Sequence, residues 1–279
     1  MSLHLSADRQ PSHDVAFRGY AETLAAVVEA SVVDASTVYL WVDQREIATD
    51  VEAAPAVRYW WQRLDEHVVR SSARDDDERP DECYRLSLND ADSDGLGALF
   101  ELLGTTSTGA GAWYLQRVVV ARDDEPVVEA IPHHSTIQLF VAGTANESVR
   151  EAISSALADR TGCVRPCEPS VAWTDADGYE WEIAGKMLCR STSDGTGLAC
   201  WELTRLDGVR VRDKGRSVDC YWRIGQSGGR FSSAVARAID RLFAKHPETL
   251  EFDDSKLGRR VGDELQDFLD AYRPSATKQ

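Results

Sequence analysis

The chain has 279 residues, 47 acidic against 31 basic side chains, a formal charge of −16 and a 43% hydrophobic share. Such a share supports a sizeable core without a metal or disulfide staple, and the acidic excess opposes indiscriminate nucleic-acid binding, because phosphates would meet a repulsive field. No interval approaches the roughly 20 apolar residues that cross a bilayer, and no basic start leads into a continuous apolar run, so a soluble cytoplasmic protein with no cofactor is expected.

Residues 3–5 read as a short strand. Ser12, His13 and Asp14 then offer capping groups to a helix whose apolar face is Val15, Phe17, Tyr20, Leu24, Val27 and Val28. Residues 37–42 alternate as a strand, and residues 55–70 form a helix in which Val57, Trp60, Trp61, Leu64 and Val68 recur at three- and four-residue steps. The charged run 74–82 interrupts this pattern as a hydrated excursion. Residues 83–88 follow as a strand and 96–103 as a short helix, with Asn89, Asp90, Asp92 and Asp94 between them in turn and capping roles.

Two β-branched runs, 112–121 and 126–131, flank a polar turn and predict an antiparallel hairpin. A strand over 135–141 leads to a helix carrying Val149, Ile153 and Leu157 on one face. The following section, 170–216, is rich in strand and turn signals, with strands at 171–173, 179–183 and 198–203. Its aromatic residues Tyr179, Trp181 and Trp201, with Tyr221 and Trp222 beyond, bury one face of a small sheet or line a recognition groove. Arg205, Arg210, Arg212, Lys214 and Arg216 are interleaved with acidic residues, as expected of a solvated strand pair. The last helix is marked by Val261, Leu265, Phe268, Leu269 and Tyr272, preceded by Asp253, Asp254 and Ser255.

These elements predict an α+β fold with a mixed or mainly antiparallel sheet and several packed amphipathic helices. The break falls near 159–169, giving an N-terminal region 1–160 and a strand-rich C-terminal region 161–279, or one body that includes both. The cysteines lack the close pairs of a structural zinc module, so buried reduced thiols are expected and no metal is called for.

Residues 218–224 read as a strand, 225–229 as a glycine-rich loop and 230–243 as an amphipathic helix. The loop is either a plain strand-to-helix turn or an anion pocket, in which Gly225, Ser227, Gly228, Gly229 and Arg230 aim backbone N–H groups and a guanidinium at one small anion. It lacks the lysine of a nucleoside-triphosphate loop. His133 and His134 are the chemical handle for an enzymatic alternative. On a strand, two adjacent side chains would point to opposite faces. The fragment from His134 through Thr136 to Phe140 resembles the histidine-x-threonine-hydrophobic signature of the two-histidine RNA-ligase/cyclic-phosphodiesterase-like family, with His4 and Ser6 as a weaker second match. The resemblance implies a metal-independent phosphoesterase in which His134 and His4 flank a cyclic phosphate or RNA terminus that Thr136 and Ser6 orient. Against it stands a binding or regulatory protein, whose acidic surface occupies a basic protein partner.

Overall fold

The computed structural model describes residues 9–49, 55–71, 82–90, 93–105, 114–141, 147–223 and 246–273. Within these the fold is α+β, with antiparallel sheets of eight, four and three strands and helices packed on them. The chain divides into two compact units, Met1–Cys167 and Glu168–Gln279. No helix among the described residues is long and apolar enough to cross a membrane.

The first unit is built on strands β1 (His13–Phe17), β2 (Thr37–Val42), β3 (Val69–Arg70), β4 (Glu82–Ser87), β5 (Leu115–Arg122), β6 (Glu125–Ile131), β7 (Thr136–Leu139) and β8 (Gly162–Pro166), in spatial order β3-β4-β2-β5-β6-β7-β1-β8. Its helices are α1 (Tyr20–Ser31), α2 (Gln44–Thr49), α3 (Pro55–Asp65), α4 (Ser93–Thr105) and α5 (Glu147–Leu157). The period-2 pattern of the strands sends Val38, Leu40, Val118, Val120, Ile137 and Leu139 to one face. There they meet Leu24 and Val28 of α1, Trp61 and Leu64 of α3, Leu99 and Leu103 of α4, and Ile153 of α5. The opposite face has a smaller apolar cluster of Tyr39, Trp41, Cys83, Val119 and Ala121. Arg117 lies over the Trp41 ring at 5.5 Å and bonds Glu129 at 2.6 Å.

Long-range pairing moves several predicted boundaries. Residues 13–17, expected to begin the first helix, are strand β1, because β7 and β8 take up its hydrogen bonds on both sides. Gly19 at φ 91° ends the extended run, and α1 begins at Tyr20. The third helix stops at Asp65 rather than at residue 70, since Val69 and Arg70 turn out to pair with Arg85 and Tyr84 of β4. The expected β5–β6 hairpin is present. Asp123 and Asp124, at φ 49° and 64°, make its two-residue turn.

The second unit opens with a meander, β9 (Pro169–Thr174), β10 (Glu180–Ala184), β11 (Met187–Ser191) and β12 (Leu198–Glu202), each strand paired to the next. A second sheet of β13 (Leu206–Arg212), β14 (Ser217–Trp222) and β15 (Thr249–Glu251) follows, then α6 (Ser255–Tyr272). The Asp254 carboxylate caps α6 by accepting the Lys256 N–H. Val261, Leu265, Phe268 and Leu269 form the buried stripe of that helix. Gly258 and Gly262 let it approach closely: a Cβ on Gly258 would overlap the Gly215 carbonyl oxygen and stand 2.8 Å from the Phe252 ring. Arg205, Arg210, Arg212, Lys214 and Arg216 are all exposed along the β13–β14 hairpin.

One face of the meander is aromatic. Trp173, Trp181 and Trp201 are stacked with centroids 5.7 Å apart between neighbours, and Phe252 meets Trp173 at 5.7 Å. The Arg190 guanidinium lies 4.6 Å from the Tyr179 ring and 5.5 Å from that of Trp181. Each of these tryptophans is at most 8% exposed, so the rings serve packing and not an open recognition groove. Tyr221, expected among them, is instead 48% exposed.

Candidate functional site

His133 and His134 are not on a strand. Pro132 fixes φ at the start of a short 3-10 turn, Pro132–His134, and Ser135 closes it at φ 54°. The two rings therefore lie side by side, with centroids 4.2 Å apart, instead of pointing to opposite faces. His134 is exposed and Thr136 is half-buried at the start of β7, where its carbonyl accepts from the Tyr20 hydroxyl at 3.4 Å. The register places a third histidine, His13, on this sheet, opposite Leu139 at the far end of β7. That is roughly 10 Å along the strand from Thr136, too far to share one phosphate with His134. Burial, and then the nearby Arg150 charge, lower the His13 pKa and favour the neutral ring. His4 and Ser6, the proposed opposing groups, lie outside the described residues, and so do Gly225, Ser227, Gly228, Gly229 and Arg230 of the proposed anion loop.

The described surface with the most distinct geometry is the other face of the meander. Directly paired residues share a face, so the registers place Ala172, Glu182, Cys189 and Cys200 in one row across the sheet. Thr174, Glu180, Ser191 and Leu198 make the next row. Small side chains floor this face, leaving a groove of ≈ 370 Å³ bordered by Glu180, Glu182, Cys189, Ser191 and Leu198. Leu198 is 73% exposed on the edge strand β12. Cys189 and Cys200 are joined by a disulfide with Cα atoms 4.1 Å apart, which corrects the expectation of reduced buried thiols for this pair.

No family model, curated protein or solved structure matches this chain.

Electrostatics separate the groove from an ordinary ion-paired surface. Lys186 pairs with Glu202 at 3.6 Å, while Glu180 and Glu182 have no cationic partner among the described residues. Asp194, in the β11–β12 turn, has its pKa lowered to about 2 by hydrogen bonds from the Thr192 side chain and from the backbone and hydroxyl of Thr196. It therefore keeps its negative charge at the same end of the meander. No group of three or more His, Cys, Asp or Glu among the described residues is gathered to hold a metal ion.

The disulfide had a signal in the sequence. Cys189 lies three positions before Thr192 and Cys200 three after Gly197, so the two cysteines are symmetric about that turn. With β11 recognised as a strand, hairpin register alone would have set them opposite each other. Among the remaining described thiols Cys83, Cys163 and Cys220 are buried, and burial pushes Cys163 up to about 11 and Cys220 up to about 12. Cys167 also rises to about 12, through burial and the neighbouring Asp14.

Proposed function

We propose that this chain is a binding or regulatory protein that engages a partner through that partner's basic surface. The observation that carries the reading is the charge balance, −16 overall, with Glu180 and Glu182 left at an open groove without a cationic partner among the described residues. A field of that sign speeds encounter with cationic surfaces, and unpaired carboxylates beside apolar contact area give the encounter a place to settle. The phosphoesterase alternative lacks comparable support: His13, which the register sets opposite Leu139, stands at the far end of β7 from His134. A bridge such as Cys189–Cys200 persists mainly in oxidising compartments, which weighs against the cytoplasmic expectation.

The test is capture on the immobilised full-length chain from native lysate, followed by identification of the retained proteins and titration of one purified partner. The reading expects basic proteins, bound at low ionic strength and released progressively as salt screens the contact. Retention of no protein at low or physiological salt, or of partners whose binding ignores salt, overturns it.

A further inference from the structure

We infer that the open face of the meander is the docking surface, and that its occupant is an extended polypeptide segment with lysine or arginine at alternate positions, laid along β10. The inference rests on the proposed function and assigns it a surface and a ligand chemistry. Glu180 and Glu182 are two residues apart on β10, so both carboxylates leave the same face about 7 Å apart. An extended peptide has the same two-residue repeat. Cationic side chains at its alternate positions therefore fall into register with both glutamates, which lysines at every third position cannot do, because neighbouring ones then leave opposite faces. The stems of those side chains are apolar, and the exposed Leu198 and the Cys189–Cys200 bridge give them a surface to cover. A single compact cation fits less well, since the nearby carboxylates do not converge into a metal-holding group. The bridge ties edge strand β12 to β11, so the face is held together before the partner arrives.

The experiment uses the full chain and two fluorescent lysine–threonine peptides of identical composition, one with its lysines at every second position and one with them at every third. The alternating peptide is expected to bind about tenfold more tightly at low salt, with chemical-shift changes centred on β10 and β12. Glu180→Gln with Glu182→Gln removes that preference. Asp263→Asn with Asp267→Asn, an equal charge change on the exposed side of α6, leaves it intact. Equal affinity for the two peptides, or equal loss in both double variants, shows only a general field and overturns the docking face. If neither peptide binds while basic proteins are still captured in a salt-dependent way, the groove assignment fails and the broader function stands.

Discussion

Single side chains divide this protein's cysteines into two classes with different chemistry. The thiolate is the reactive form, and Cys163, Cys167 and Cys220 all have raised pKa values, so they stay protonated and slow at neutral pH. Cys200 is exposed and Cys189 half-buried, but each is held in the disulfide. Brief iodoacetamide treatment of the folded protein is expected to label almost nothing. After mild reduction, mass spectrometry should find label on Cys189 and Cys200 first; labelling of Cys163 or Cys220 at the same rate would refute the assignment. Asp207 offers a second test at this scale. It accepts from Arg223 and from Arg273, each at 2.7 Å, and the Arg223 hydrogen bond is the main cause of its lowered pKa. A carboxyl whose pKa falls on folding adds stability above its unfolded value, about 3.9, and loses that contribution as the pH drops through the folded value. Asp207→Asn should therefore melt below the wild type at neutral pH, with the gap closing in acid. A gap that does not change with pH would show that the charge is irrelevant.

At the level of elements, α6 shows how a pattern visible in the sequence meets a constraint that is not. Its apolar stripe, from Val261 to Tyr272, follows from three- and four-residue spacing. The need for glycine at 258 follows only from the Gly215 turn lying against the helix. Gly258→Ala raises intrinsic helix propensity, yet its methyl has no room, so the variant should lose roughly 1–3 kcal/mol in denaturant unfolding of this unit. A stabilised variant would mean that the turn moves aside freely. The β5–β6 hairpin shows the opposite situation: two β-branched runs around a polar turn fix it locally, with no distant partner required. The site residues followed the same division. His134 and Thr136 were visible as a motif, but Pro132 and the left-handed Ser135 decided that the imidazole is presented from a turn. Glu180 and Glu182 drew no attention in sequence because two glutamates on a strand are unremarkable until the neighbouring strands floor a groove with small side chains.

Over the whole chain, a formal charge of −16 means that compaction brings like charges together, which opposes folding at low ionic strength. Raising sodium chloride from about 0.01 to 0.15 M shortens the screening length from about 30 to 8 Å, so the unfolding transitions should move up by a few degrees. A transition that falls with added salt would place attractive ion pairs above net repulsion. The same salt should weaken the proposed partner contact, so stability and binding are expected to change in opposite directions.

What the sequence determined by itself is the part of the fold that short-range physics controls: the α+β class, the hairpins at polar turns, the apolar faces of α3, α5 and α6, and the acidic sign of the molecular field. Tertiary structure decided the rest. Residues 13–17 are a strand because β7 and β8 flank them, and Val69 and Arg70 leave a helix to pair with β4. In each case the partner that supplies the hydrogen bonds lies outside the local window, and local propensity yields to pairing that only the folded chain provides.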